Sequence, residues 1–494
     1  MKMILLMFNA VLLLPIIFAM PNPISLLNSE TDSNATNTNI QLVNQAKSLD
    51  PNERFAAVSR ICGLLWKDAK ENEVAIAEFV SIGAVPVLVN CLKSTDDKLI
   101  VEAAWALQRI AYIDKSIAVV EAGAVPLLVK LLQSPNMEVC KRTAWTLSNI
   151  ACHNVRESKI VEAGAVPPLV NLLQSSNMEV CKYTAWALAN IANVKAQEVV
   201  EAGAVPPFVK LLETQNMEVC KYTAAALANI ANFKAQEVVE AGAVPPLVKL
   251  LETQNMEVCK YTAWALANIA NVKAHEVVEA GAVPPLVKLL ETQNMDLCRQ
   301  TAWALGNIAA VKAHEVVEAG AVPPLVKLLE TQNMEVCKYT AWTLKNISAV
   351  KAREVVEAGA LPPLVELLQS PNADVCTQAS LAIGKIIEKI PNLNGCYIDV
   401  EHIHIMAKKV IELIEKFGGL RKIKQLKTKE SEFILKMIEK IQSSKGCVVC
   451  FDKKIEIAFK PCWHACVCKE CSRQISICPM CRQIISHKQR IYLP

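Results

Sequence analysis

Gly242–Ala280 reads GAVPPLVKLLETQNMEVCKYTAWALANIANVKAHEVVEA, and this stretch of 39 residues decides the fold. It recurs almost verbatim from Gly281 and again from Gly320. One position of the unit is tryptophan in six copies and is Ala225 or Leu381 in two others. The tryptophans are Trp105, Trp145, Trp186, Trp264, Trp303 and Trp342, and the eight markers are 40, 41, 39, 39, 39, 39 and 39 residues apart. Such a period is typical of stacked units that share one core.

Each unit is predicted to contain three helices. The first is short and ends at a glycine such as Gly281, which adopts a left-handed cap easily. The second begins at Pro284 and Pro285, because proline is tolerated in a first helical turn. The third runs from Met295 to Ile308, with apolar residues near a 3.6-residue period. No unit can bury its apolar faces alone, so we expect an all-α, right-handed solenoid.

The composition fits this architecture and limits the partners. The chain has 494 residues, 52% of them hydrophobic and 5% aromatic, which is too apolar for a disordered protein. Its length predicts several domains or a repeat array. Because 52 basic residues nearly balance 48 acidic ones, the overall charge does not indicate a nucleic-acid partner.

The strings GAVPPLVKLL, TAWALGNIA and EAGALPPLVELL resemble the armadillo repeats of the importin-alpha branch. The resemblance extends from Arg54 to Ser443 and includes a terminal unit that begins at Phe417. It implies that residues 48–443 form about nine armadillo units, with diverged units at both ends.

A ladder of tryptophan and asparagine follows the third helices, with asparagine four residues after the tryptophan. In importin-alpha, asparagine amides hold the backbone of an extended peptide and tryptophans form slots for its side chains. The resemblance therefore implies that an extended peptide or disordered segment of a target binds here. The alternative is that both residues are only repeat consensus. The predicted binding residues are Trp145, Asn149, Trp186, Asn190, Asn229, Trp264, Asn268, Trp303, Asn307, Trp342 and Asn346.

A basic residue precedes six of the eight markers by one helical turn, where importin-alpha usually has Glu or Gln. The basic residues are Lys141, Lys182, Lys221, Lys260, Arg299 and Lys338. Such a row would repel basic localisation peptides and favour acidic or phosphorylated segments. The alternative is a solvated edge beside the groove. An importin-alpha-like adaptor in nuclear import is therefore the second hypothesis for function.

The last 50 residues carry a cysteine and histidine pattern of a different kind. The order is C-x2-C, C-x-H, C-x2-C and C-x2-C, and zinc takes four such ligands tetrahedrally. The spacing resembles the RING finger, whose two zinc ions are cross-braced. That resemblance implies one site of Cys447, Cys450, Cys468 and Cys471 and a second of Cys462, His464, Cys478 and Cys481. Cys466 is the spare, and a register that uses it stays open.

The strings CVVCFDKKIEIAFKPCWHACVCKEC and CPMCRQIISHKQRIYLP are similar to the RING of the inhibitor-of-apoptosis ligases, although Trp463 stands where that family usually has glycine. The resemblance implies a RING-type E3 ubiquitin ligase that binds a ubiquitin-charged conjugating enzyme and promotes transfer to a target lysine. Residues 445–494 would then form the RING and a dimerisation tail. The implied roles are conjugating-enzyme binding for Val449, Ile475 and Pro479, and transfer-promoting contacts with ubiquitin for Arg482 and Tyr492.

The amino terminus and the cysteines indicate different cellular compartments. Residues 1–20 are an apolar, signal-like or anchor segment, and residues 21–47 are a polar linker. One cysteine per repeat stands five residues before the marker and is predicted to be a small buried residue. An odd total of 19 with zinc ligands favours a reducing compartment. We therefore expect a protein of the cytoplasm, with the nucleus as a further compartment, or alternatively a membrane-anchored ligase with its RING in the cytosol.

Overall fold

The computed structural model describes the repeats almost completely and the carboxyl-terminal part in short stretches. The described residues are 31–66, 69–152, 157–389, 411, 414–415, 419–426, 431–432, 434–436, 438–439, 457–460, 465–467 and 486–490. The chain divides into two units, Met1–Ala241 and Gly242–Pro494.

The first unit is a stack of helices. A single turn of π-helix, Ala111–Lys115, follows α5. The helices are α1 Thr31–Gln45, α2 Pro51–Leu65, α3 Ala69–Ser81, α4 Ala84–Cys91, α5 Asp97–Ile110, α6 Ser116–Glu121, α7 Ala124–Leu131, α8 Met137–Ala151, α9 Glu157–Glu162, α10 Val166–Leu172, α11 Met178–Glu201, α12 Val205–Leu212 and α13 Met217–Glu240.

The second unit continues the same pattern and adds three short strands. Its helices are α14 Val244–Leu250, α15 Met256–Glu279, α16 Val283–Leu289, α17 Met295–Glu318, α18 Val322–Leu328, α19 Met334–Glu357, α20 Leu361–Leu367, α21 Ala373–Lys389 and α22 Gly419–Leu426. Its strands are β1 Ile457–Lys460, β2 Ala465–Val467 and β3 His487–Arg490.

Local sequence explains where the helices of a repeat begin and end. Gly281 has φ 81°, the left-handed conformation that lets the chain turn from α15 into α16. Pro284 lies in the first turn of α16, as predicted. The Asn294 side chain caps α17 by accepting a hydrogen bond from the Leu297 amide at 3.1 Å. These signals set the helix boundaries in the repeat.

The predicted first and third helices are joined in the structure. Helix α17 extends over 24 residues and bends at Lys312, where φ is −127° and ψ is 51°. The third helix of one repeat therefore passes into the first helix of the next repeat through a single non-helical residue. The equivalent lysine bends α11, α13, α15 and α19. The sequence contains no glycine or proline at this point, and the two predicted helices meet at this single non-helical residue.

The repeat cysteines are buried small residues, which confirms the prediction for them. In α17, the Cys298 thiol has no exposed surface and donates to the carbonyl of Thr292 at 3.3 Å. Burial raises the pKa of this thiol, and in α11 it raises the pKa of Cys181 to about 11. Among the described residues the cysteines form no disulfide. They fill the space between neighbouring helices.

The amino-terminal part differs from the sequence expectation. Residues 31–45, placed in a polar linker, form helix α1, which packs on α2 and leads to the buried side chains of Val43 and Ala46. Within the described residues no single helix is long and apolar enough to cross a membrane, although the bent pair Glu73–Ser81 and Ala84–Cys91 meets the length and composition test together. The apolar segment 1–20 lies outside those residues.

Candidate peptide groove and zinc module

The third helices of neighbouring repeats lie side by side within each unit. In the first unit α8 packs on α11 and α11 on α13; in the second, α15 packs on α17, α17 on α19 and α19 on α21. All six marker tryptophans are half-buried, so each keeps part of its ring on the surface. Ala225, at the marker position of α13, is buried. Within each unit the tryptophans are therefore partly exposed on packed helices, and their role in peptide binding stays a prediction.

The asparagines of the ladder take part in packing between repeats. The Asn229 side-chain amide donates to the carbonyl of Ala189 in the preceding third helix at 2.8 Å. Asn307 donates to the carbonyl of Ala267 at the same distance. The same bond joins Asn149 to Gln108, Asn190 to Ser148 and Asn346 to Gly306. The asparagines therefore have a structural reason to recur, which agrees with the alternative that they are repeat consensus.

Burial agrees with this structural role for the asparagines. Asn229 and Asn307 are 6% and 7% exposed, and Asn268 is 5% exposed. One amide proton of each bonded side chain is already used, so a peptide would meet only the remaining proton and the oxygen Oδ1. Whether these groups hold a peptide backbone stays a prediction.

Side chains of the next repeat occupy faces of several tryptophans. Tyr183 of α11 stacks on Trp145 of α8, with ring centroids 4.2 Å apart and an angle of 12° between the planes. Tyr222 stacks on Trp186 at 5.2 Å in the same way. In the second unit the rings of Trp303 and Tyr339 are 5.7 Å apart. Trp145 and Trp186 therefore each have one face covered by a stacked tyrosine, which narrows any slot beside those rings, whereas Tyr339 is tilted by 31° against Trp303.

The basic row is largely neutralised by glutamates one turn earlier. Lys182 Nζ lies 2.9 Å from a carboxylate oxygen of Glu179, and Lys338 Nζ lies 2.5 Å from Glu335. The same i,i+3 pair joins Lys141 to Glu138, Lys221 to Glu218 and Lys260 to Glu257. The row is therefore a set of ion pairs rather than the uninterrupted positive stripe that the sequence suggested. Arg299 is the exception, because no carboxylate of the described residues lies within 4 Å of it.

Three short strands lie among and after the cysteines of the carboxyl-terminal segment in the sequence. They form an antiparallel sheet in the order β2-β1-β3, in which Ala458 pairs with Ala465 and Phe459 with Lys488. In the sequence, Cys462 and His464 lie between β1 and β2. A donor set of seven thiols and one imidazole suits two tetrahedral zinc ions. The residues present fit the metal that the spacing predicts.

Most residues predicted for the zinc module and for ubiquitin transfer lie outside the described residues. This applies to all eight proposed ligands, Cys447, Cys450, Cys462, His464, Cys468, Cys471, Cys478 and Cys481. It applies equally to Val449, Ile475, Pro479, Arg482 and Tyr492. Their roles stay predictions.

Comparison with known proteins agrees with both parts of the chain. Eight segments match the Armadillo/beta-catenin-like repeat and together cover more than half of the chain: 79–112, 114–152, 157–193, 194–232, 234–271, 273–310, 312–349 and 351–387. The chain belongs to the armadillo-repeat family. An engineered protein of known crystal structure is similar over 81% of this chain and 98% of its own, with 36% identity and a TM-score of 0.70.

The end of this armadillo chain is similar to a second family. Residues 443–488 match the C3HC4-type zinc finger, the RING finger. The E3 ubiquitin-protein ligase XIAP of Rattus norvegicus is 39% identical over 56 residues, which are 11% of each chain. Human Baculoviral IAP repeat-containing protein 8 is 38% identical over 56 residues, which are 11% of this chain and 24% of that protein. The mouse E3 ubiquitin-protein ligase LRSAM1 is 44% identical over 46 residues, 9% of this chain and 6% of its own. The armadillo chain thus spans no more than a quarter of these relatives.

Sequence reasoning missed two features of the armadillo groove. The first is the tyrosine three residues before the marker, represented by Tyr183, Tyr222 and Tyr339, whose recurrence was visible in the repeat. The second is the departure of Arg299 and Gln300 from the Lys-Tyr pair of the neighbouring repeats. A position-by-position comparison of the repeats would have found both.

Proposed function

We propose that this armadillo protein is a RING-type E3 ubiquitin ligase. Its repeats would bind an extended segment of a target, and its RING would bind a ubiquitin-charged conjugating enzyme and promote transfer to a target lysine. The observation that carries the proposal is the RING match over residues 443–488, which contains all eight predicted zinc ligands. Relatives of that segment are named E3 ubiquitin-protein ligases, which supports the same activity here.

Transfer on a RING requires no nucleophile from the ligase. The increase in rate comes from holding the thioester in a reactive geometry and from contacts formed before reaction. Val449, Ile475 and Pro479 would form the apolar patch for the conjugating enzyme, and Arg482 would bridge that enzyme and ubiquitin. The two zinc ions would hold these residues in place, because a module this small has little core of its own.

The tail is proposed to form a homodimer, with Tyr492 touching the ubiquitin carried by the other subunit. Strand β3 pairs with β1 of its own chain, so the residues after Arg490 continue from the edge of a formed sheet. Analytical ultracentrifugation of the full chain and of a Tyr492→Ala variant tests this. A monomer at micromolar concentration, or full activity of the variant, would contradict the role of the tail.

The ligase proposal is tested with purified full-length protein, activating enzyme, a panel of conjugating enzymes, ubiquitin and ATP. We expect ubiquitin chains to form with the wild type and not with Cys447→Ala or His464→Ala. Arg482→Ala should keep its zinc and lose most of the activity. Cys466→Ala is the matched control, since Cys466 is the cysteine left out of both proposed sites. Two zinc atoms per chain in this control, with normal activity, are expected by elemental analysis. An inactive wild type across the panel would refute the proposal.

The buried repeat thiols and the zinc ligands are consistent with a cytosolic location, which we propose for the RING whether or not residues 1–20 anchor the chain. Protease protection of the carboxyl terminus in sealed cell membranes tests this, and protection of the RING would contradict it. Binding of basic localisation peptides is what the adaptor hypothesis expects instead. The tyrosines stacked on Trp145 and Trp186 give that hypothesis less support, whereas the glutamates paired with the lysines reduce the repulsion of basic peptides that an unpaired lysine row would cause.

A further inference from the structure

The third helix of one repeat departs from its neighbours at a cluster of positions. Helices α15 and α17 share most of their 24 residues, but α17 has Asp296, Leu297, Arg299, Gln300, Gly306 and Ala310 where α15 has Glu257, Val258, Lys260, Tyr261, Ala267 and Asn271. Four of the six changes lie within five residues. Because the neighbouring repeats are nearly identical in sequence, these changes indicate a property specific to this repeat.

The first consequence is an unpaired cation. Arg299 is 9% exposed, and among the described residues it has neither an ion pair nor a side-chain hydrogen bond. Its counterpart Lys338 is equally buried but pairs with Glu335 at 2.5 Å. Asp296 replaces that glutamate, and its exposed carboxylate, one methylene shorter, does not reach the guanidinium. Arginine remains charged at any physiological pH, so this burial has a cost that an anion would offset.

The guanidinium is nevertheless open to a ligand. None of its nitrogens is among the described side-chain atoms that are sealed from solvent without a partner. Burial and Glu335 raise the pKa of Tyr339 in the next repeat, whereas the positive charge of Arg299 lowers it. Tyr339 also contacts Trp303, which places Arg299 beside the tryptophan row of the second unit.

The second consequence is unused hydrogen-bonding capacity next to this cation. Gln300 occupies the position where Tyr339 contacts the tryptophan of the preceding helix. It is 4% exposed, and its Oε1 is buried without a partner. The indole Nε1 of Trp264, in the preceding helix, is also buried without a partner. The indole N–H of Trp264 is a donor from which an anionic group can accept, whereas Gln300 Oε1 is itself an acceptor and needs a donor such as a water or a peptide N–H.

We propose that Arg299, with the neighbouring tryptophans, forms a subsite for an anionic side chain of an extended target segment. The inference rests on the proposed role of the repeats in target binding and names the class of target. The ligand group is a carboxylate or a phosphate, and guanidinium binds either one with two parallel hydrogen bonds. The five paired lysines do not compete for it, because a glutamate neutralises each of them.

A peptide array tests the proposal with the full-length protein as the probe. One half carries random peptides of natural residues, and the other carries the same peptides with phosphoserine in place of Asp and Glu. We expect acidic residues to be enriched at one position among the bound peptides of the first half, the second half, or both. The comparison of halves distinguishes carboxylate from phosphate.

Three variants locate the subsite. Arg299→Gln should reduce the affinity for the selected peptides by about ten- to hundredfold, which is the effect of losing a charge-assisted hydrogen bond. Asp296→Glu should reduce it as well, because the longer side chain can pair with Arg299 as Glu257 does with Lys260. Asp296→Asn, which keeps the length and removes the charge, should bind at least as well as the wild type. Lys260→Gln is the matched control and should bind normally.

Absence of bound peptides, absence of acidic enrichment, or equal loss in Lys260→Gln and Arg299→Gln would overturn the inference. The ubiquitin-chain assay is read separately. Chain formation without acidic selection refutes only the subsite, whereas acidic selection without chain formation refutes only the ligase proposal.

Discussion

Gly306→Ala sets helix propensity against packing in a single substitution. Gly306 lies inside α17, where alanine is about 1 kcal/mol more favourable than glycine. A methyl group there would collide with the indole ring of Trp342 in α19 and lie 2.6 Å from Thr343 Oγ1. Overfilling a packed interface costs about 1–3 kcal/mol. We therefore expect a net loss of up to about 2 kcal/mol, because the collision outweighs the gain in propensity.

The control is Gly63→Ala in α2. Gly63 is an exposed helical glycine, and a methyl group there would meet no atom within 4 Å. This variant should gain about 0.5–1 kcal/mol from propensity alone. The two substitutions are chemically identical, so opposite signs would isolate the packing contribution.

Urea unfolding of the full chain measures both variants, and hydrogen exchange of α17 and α19 shows where Gly306→Ala acts. Addition of Trp342→Ala should recover most of the penalty of the methyl group, because the indole is its main obstacle. Stabilisation by Gly306→Ala similar to that by Gly63→Ala would refute the reasoning about the packed indole.

Four further predictions concern other parts of the molecule. Asn307→Ala should reduce the free energy of unfolding by about 1 kcal/mol, since it removes the bond to Ala267; urea unfolding measures this, and an unchanged stability would mean that the bond contributes nothing. Tyr183→Ala uncovers a face of Trp145, so it should increase the affinity for a lysine-rich peptide in fluorescence anisotropy, with unchanged affinity as the contrary result. Because the pKa of Cys181 is raised, the folded state keeps the thiol proton to a higher pH than the unfolded state does. The contribution of this thiol to the free energy of unfolding should be constant below pH 9 and fall between pH 9 and about 11. A Cys181→Ala variant should therefore lose less stability over that range than the wild type. A zinc chelator should abolish ubiquitin-chain formation and leave the far-ultraviolet helical signal nearly unchanged, because the proposed ligands lie outside the repeats; a large loss of helix would contradict that separation.

The repeat made most of the fold predictable. Gly281, Pro284 and Asn294 are strong local signals, and the structure places a turn, a helix start and a cap where they occur. The kink at Lys312 was not predictable in this way, because no helix-breaking residue marks it and packing between repeats must produce it. Helix α1 was missed because its polar sequence has low apolar content, while a few residues such as Val43 are buried.

The groove was predicted less completely, because its chemistry depends on neighbours across helices. The i,i+4 spacing places Asn307 and Trp303 on one helical face but does not show that a carbonyl of the previous repeat accepts from Asn307. The lysine row appeared uniformly positive because each residue was considered apart from the glutamate one turn earlier. The distinction between paired Lys260 and unpaired Arg299 arises from one methylene group, which only the three-dimensional arrangement reveals.

The near identity of the repeats also determines how the array could change in length. Residues 281–319 begin at a glycine and end at an alanine, as the units before and after them do, so their removal would join Ala280 to Gly320 in the junction that the chain already uses. Helix α19 would then face α15 through side chains almost the same as those of α17. Gain or loss of a whole unit would therefore alter the reach of the protein and the order of its contact points without requiring a new kind of interface. A lineage could in this way adjust the length of the array while keeping one RING finger after it.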